Sequence, residues 1–267
     1  MESREELLQE LAVIEKWEKE QSGQWIWDRL GRLPFKILDK LTPAGIHTKI
    51  GSLLDEIGRY IHTGGSYLVK EEAIFEKIQE ETGERVRDLQ DVRGIPLHAM
   101  EKAADSLISS RKKMASIQGA STGIGGIFTL SLDIPAILAI SLKTLQEIAL
   151  IYGYDPNEES ERIFIVKCLQ FSSADIVGKE AILNELSAYY QGRNGSGEMI
   201  SQLQGWREVV YTFRDQFGWK KLFQIVPVAG LVFGAFTNRS MVKDLAETGT
   251  HFYRKRRIME RLNHTDS

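Results

Sequence analysis

From Met114 to Leu142 the chain runs for 29 residues with one charged side chain, Asp133. A second stretch, Leu222 to Phe236, is 15 residues long, carries no charge and is broken by Pro227. Segments this poor in charge have to be buried against protein or meet lipid, because a large apolar surface in water is costly. Both hold glycines four residues apart, Gly119 with Gly123 and Gly230 with Gly234, and Gly125 and Gly126 follow the first pair. Positions without a side chain at such steps let helix backbones approach closely. The two segments are therefore expected to pack on one another at the centre of the fold.

Length and charge argue against a simple membrane crossing. At about 1.5 Å per residue, Leu222 to Phe236 reaches roughly 22 Å, short of the ~30 Å hydrocarbon core. Ile134 to Ile151 is long enough, but its nine Ile and Leu residues offer only ~3 to 5 kcal/mol, against roughly 5 to 7 for Lys143 and Glu147. Those two charges are four residues apart, opposite Leu138, Leu142 and Leu145, the pattern of a helix half exposed to water. Asp133 followed by Pro135 reads as a helix start, with the carboxylate as N-cap and the proline in the first turn. Asn238 and Arg239 are its expected partners if the two segments pack.

Elsewhere apolar residues recur at spacings of three and four, and the chain has only six prolines, so the expected fold is all-α, a multi-helix globular bundle around the two Gly-rich segments. Ser3 and Glu6 form a capping-box pattern ahead of Leu7, Leu11, Ile14 and Trp17, giving an amphipathic helix over about 4–21. Further helices are expected over Trp25 to Lys40, Ile46 to His62 and Ser66 to Glu81, with Gly64-Gly65 as a turn. ETGERVRDLQDVRG reads as a connector or short exposed helix before Pro96 opens the next. Tyr152-Gly153-Tyr154-Asp155 ends one helix, and Asp155-Pro156 with Glu158 caps the following one. Helices then follow at 156–171, 174–190, Glu198 to Phe217 and from about Ser240. The domain reading is an N-terminal helix (1–22), one helical domain (23–262) and a disordered tail (263–267).

Catalytic chemistry has little support. The five histidines, His47, His62, His98, His251 and His264, form no HxxxH or HExxH, so no metal or other cofactor is expected. GASTGIGG lacks the Lys-Ser/Thr of a phosphate-binding loop, and no GxSxG occurs. The one cysteine, Cys168, cannot form an internal disulfide and sits among apolar residues as an inert thiol. The start, MESREELLQE, has no apolar leader, and the expected location is cytoplasmic. A net charge of −3 gives no field for nucleic acid, which is not an expected partner.

Basic and aromatic residues flank the apolar segments. Lys112 and Lys113 precede the first, Trp219, Lys220 and Lys221 the second, and Trp25 and Trp27 sit among Arg29, Arg32 and Lys36. This composition suits a headgroup region. Arg256 and Arg257, in the run Arg254 to Arg257, are further candidates for an anionic leaflet, or else a solvated helix end.

The Gly-rich arm, Asp133-Ile134-Pro135, Tyr152-Gly153-Tyr154-Asp155, and Val226-Pro227-Val228-Ala229-Gly230 leading to Asn238-Arg239 together resemble the EcsC family of bacterial proteins, from roughly Trp17 to Arg257. The resemblance implies a founding member encoded beside the subunits of an ABC transporter, with no catalytic residues to carry over. Two functions are then expected. The first is a non-enzymatic helical accessory protein, peripheral at the cytoplasmic membrane face and associated with a membrane complex such as an ABC transporter. The alternative is a soluble helical enzyme or small-ligand binder with a pocket between the Gly-rich hairpins, Asp133 and Asn238 at its floor.

Overall fold

Ser3 and Glu6 open the first helix reciprocally. The Ser3 N–H donates to Glu6 Oε2 at 2.7 Å and the Glu6 N–H donates to Ser3 Oγ at 3.3 Å, so two amides with no intrahelical partner are satisfied. The helix they start, α1 (Arg4–Ser22), buries Leu7 and Ile14 and packs Leu11 and Trp17 on the same core. The computed structural model describes residues 2–22, 56–65, 68–122, 134–173, 176–190 and 238–265, and for the ends of several helices the backbone alone. Among these residues helices are the only regular secondary structure.

Helix α2 (56–63) stops at Gly64, whose φ is 83°, and α3 (Glu71–Thr82) stops at Gly83, whose N–H donates to the Gln79 carbonyl at 2.8 Å. Asp88 caps α4 (Leu89–Arg93), accepting from the Gln90 and Asp91 amides at 2.9 and 3.0 Å. Pro96 then precedes α5 (Leu97–Thr122). The remaining described helices are α6 (Ile134–Ile151), α7 (Glu159–Ser173), α8 (Ile176–Tyr190) and α9 (Asn238–Thr265). Helix α3 starts at Glu71 rather than Ser66, and α9 continues to Thr265, into the first residues of the stretch expected as a tail. The charged connector is more than an exposed link, because Val92 of α4 is fully buried. The expected helices Trp25 to Lys40 and Glu198 to Phe217 lie outside the described residues.

Helix α9 is the axis of the bundle, and α1, α5, α6 and α7 all pack on it. Its partners' directions follow from side-chain pairings along its length. A side chain at Gly249 would meet Leu145 and Ile148 of α6, its Cβ 2.7 Å from Leu145, and eight residues later Arg257 donates to the Tyr152 carbonyl just past the end of α6. Helices α6 and α9 therefore run parallel. Against α5 the order reverses: Arg254 reaches Glu101, and Arg261 reaches the Ile95 carbonyl ahead of α5. The end of α5, the start of α6 and the start of α9 consequently share one end of the bundle. The other end gathers α4, the 152–158 turn and the last turns of α9.

The core between these helices is aromatic. Phe164, Phe171, Phe252 and Tyr253 are fully buried, with ring centroids 4.8 Å apart for Phe171 and Phe252 and 5.0 Å for Phe164 and Tyr253. Their edge-to-face arrangement is the favourable one for rings of this size. On α6 the half-exposed face expected from Lys143 and Glu147 is a misreading, since Glu147 is only 5% exposed. Packing by α3, α7 and α9 covers more of α6 than a single apolar stripe requires.

Candidate functional site

Four consecutive cations, Arg254 to Arg257, span a full helical turn and must point in four directions, about 100° apart. On α9 the flanking Phe252, Tyr253 and Ile258 are buried, so the cations are drawn inward and a buried charge needs a partner. All four find partners, spread over α1, α5, α7, α9 itself and the turn after α6. Arg254 pairs with Glu10 of α1 and, at 2.7 Å, with Glu101 of α5. Lys255 reaches Glu18 of α1 at 2.6 Å. Arg256 reaches Glu161 of α7 at 2.7 Å. Arg257 donates through Nε to the Tyr152 carbonyl at 3.0 Å and pairs with Glu260 at 2.8 Å. One turn on, Arg261 pairs with Glu2 and donates to the Ile95 carbonyl at 2.6 Å.

Glu161 is the most enclosed of these carboxylates. Its side chain is 3% exposed, and Oε1 accepts from the Tyr253 hydroxyl at 2.6 Å. Burial pushes the carboxyl above its ordinary range, against the Arg256 charge and the Tyr253 hydrogen bond, which pull the other way. Burial likewise lowers the Arg257 guanidinium. The Arg256 guanidinium lies 4.1 Å from the Tyr154 ring centroid and 5.1 Å from that of Phe164, a cation–π environment that replaces part of its hydration.

The same arginines explain the Tyr152-Gly153-Tyr154 stop. Gly153 has φ 78°, and its carbonyl accepts from Arg93 Nε at 3.0 Å. A Cβ there would lie 2.8 Å from Arg93 Cγ and 3.0 Å from Arg257 Nη2. Conformation and space both require glycine.

This arrangement pairs buried charges across four helices. Cys168 is fully buried and its thiol is pushed well up by that burial, the opposite of a nucleophilic thiolate. His251 stacks on Trp17 with ring centroids 4.2 Å apart, and its Nδ1 meets the Glu247 carbonyl at 2.8 Å. Among the described residues no group of His, Cys, Asp and Glu could hold a metal ion.

Arg256 and Arg257, expected at a membrane surface or a solvated helix end, are at neither. Their side chains are 17% and 7% exposed and are neutralised within the protein. Sequence reasoning missed the carboxylates that hold this part of α9, Glu161 for Arg256, Glu18 for Lys255, Glu10 for Arg254 and Glu2 for Arg261, although apolar residues on both sides of the cationic run signal burial. Lys112, Lys113 and Gly119 fall in α5, Pro135 is the second residue of α6, and Asn238 opens α9. Trp25, Trp27, Gly123, Gly125, Gly126, Asp133, Trp219, Lys220, Lys221, Pro227, Gly230 and Gly234 lie outside the described residues, and so does the expected pairing of the two Gly-rich segments.

The family model of the EcsC protein family matches residues 8–258, from inside α1 to inside α9. The chain belongs to the EcsC family. It is 56% identical over 266 residues to Uncharacterized protein YdbA of Bacillus subtilis (strain 168), covering 99% of this chain and 97% of that protein. It is 29% identical over 171 residues to Protein EcsC of the same organism, covering 64% of this chain and 69% of that one. No solved structure matches. In this EcsC family member the matched range takes in Glu10, Glu18, Glu101, Glu161 and the cations Arg254 to Arg257, so most of the buried network lies within the family's own span.

Proposed function

We propose that this EcsC family member is a non-enzymatic helical accessory protein, peripheral at the cytoplasmic membrane face and associated with a membrane complex such as an ABC transporter. One observation carries the reading: the end of α5, the start of α6 and the start of α9 share one end of the bundle, so both low-charge Gly-rich segments join the folded body there. The buried network supports it from the other side, because Arg254 to Arg257 are committed to internal carboxylates and carbonyls and serve the scaffold. Among the described residues no helix is long and apolar enough to cross a membrane, and the proposed contact is with the surface. Fractionating cells that produce the native protein tests the proposal, with a salt wash followed by detergent. Sedimentation with membranes and release by one of the two washes is expected. Recovery of the whole pool in the supernatant at low salt would refute it.

A further inference from the structure

The helices that meet at the Gly-rich end have an uneven charge. Counting about 1.5 Å per residue from the Glu101–Arg254 and Leu145–Gly249 contacts, Arg111, Lys112 and Lys113 of α5, Lys143 of α6 and Arg239 and Lys243 of α9 fall within roughly 12 Å of one another along the bundle axis. The portions of helix that reach this end, 106–122, 134–143 and 238–247, hold six basic residues against two acidic ones, Asp244 and Glu247. Lys243 is exposed and Lys143 half-buried. At the opposite end, residues 68–95, 152–161 and 257–265 hold 13 acidic against seven basic residues. Glu71 is tied there to Asn157, and Arg93 to Gly153. The basic run that stands out in the sequence, Arg254 to Arg257, is consumed inside the protein, whereas packing alone brings the basic positions of three helices to one level of the bundle.

We infer that these six residues form a basic collar that docks end-on against the anionic phospholipid headgroups of a bilayer leaflet, with the bundle axis steep to the membrane and the acidic end turned away. This rests on the membrane reading above and adds its orientation and lipid chemistry. Charge complementarity selects the occupant: the collar is net positive and adjoins the two segments poorest in charge, whereas the far end would be repelled. Cations near such a surface act nearly independently, so their contributions multiply in the partition coefficient.

Flotation of the full-length protein with vesicles of phosphatidylglycerol and phosphatidylcholine, and with phosphatidylcholine alone, tests the inference. Wild type is expected to float with the anionic vesicles only. The triple variant Lys112→Gln, Lys113→Gln, Lys243→Gln is expected to lose about 100-fold in partitioning. A separate pair, Lys143→Gln with Arg239→Gln, is expected to lose about 20 to 30-fold. Arg4→Gln with Arg87→Gln, which removes two cations outside the collar, is expected to float as wild type. Equal losses in all three variants, or none in the collar variants, would overturn the end-on orientation while leaving membrane contact intact. Equal flotation of wild type on neutral and anionic vesicles would overturn the headgroup chemistry. Failure of wild type to float with either vesicle would count against bilayer contact itself, and the collar would fall with it.

Discussion

The Tyr253 hydroxyl donates to Glu161 Oε1 at 2.6 Å in a site almost closed to water, while Arg256 holds the other carboxylate oxygen at 2.7 Å. A tyrosine and a glutamate 92 residues apart are thereby locked beside a guanidinium that neither could do without. An isolated buried charge is far costlier than a paired one.

Replacing Arg256 with methionine should therefore cost about 3 to 5 kcal/mol near neutral pH, because it strands the Glu161 carboxylate. The pH dependence has a definite sign. Burial already raises this carboxyl above 4.5 in the folded protein, and loss of Arg256 pushes it further up. Stability associated with such a group is present below the unfolded value and is lost as pH rises through the folded one. Urea denaturation of Arg256→Met should thus show partial recovery as pH falls toward 5. A deficit that stays flat across this range would contradict the assignment.

Gly153→Ala tests the knot at the end of α6. The new methyl would need φ near 78° and would press on Arg93 and Arg257, so a loss of roughly 1 to 3 kcal/mol is expected from backbone strain alone. The midpoint of chemical denaturation reads it, with an unchanged slope as the sign that the fold is otherwise kept.

The clamp of α1 on α9 should depend on Glu18 more than on Glu10. Arg254 keeps Glu101 when Glu10 is neutralised, and Glu10 is 39% exposed. Glu18 and Lys255 are 12% and 10% exposed. Glu10→Gln is expected to cost under ~1 kcal/mol and Glu18→Gln about 3. Amide hydrogen exchange in α1 would reveal the order, and equal effects would argue that the apolar anchors Leu7 and Ile14 alone hold the helix.

Acid should loosen the same helix from its start. Burial tends to raise the Glu2 carboxyl, but the Leu97 amide and the Arg261 guanidinium outweigh it and hold the group below 4.5. A depressed carboxyl contributes stability that is present above the unfolded value and lost as pH falls through the folded one. Protection of the α1 amides is expected to fall on acidification below about pH 4.5, and Glu2→Gln should reduce that step without removing it, because the Ser3 hydrogen bonds also hold the Glu6 carboxyl low.

Local signals were strong at helix ends. The Ser3–Glu6 box, the Gly64 and Gly153 stops and the Pro96 start can be read in order from the chain, because each depends on atoms within a few residues. The burial of Glu147 and the fate of Arg254 to Arg257 could not be read. Whether a lysine or arginine faces water depends on the helix that covers it, and the covering carboxylates here are up to 244 residues away.

The chain by itself determined the helical class, the capped or glycine-stopped helix ends at Ser3, Gly64 and Gly153 and the two charge-poor segments, since spacing and capping act over one or two turns. Only the tertiary structure decided which cations are spent inside the protein and which gather at the end where those segments join. Helix direction is fixed by packing between residues far apart in sequence, and an ion pair exists only once its two elements have met.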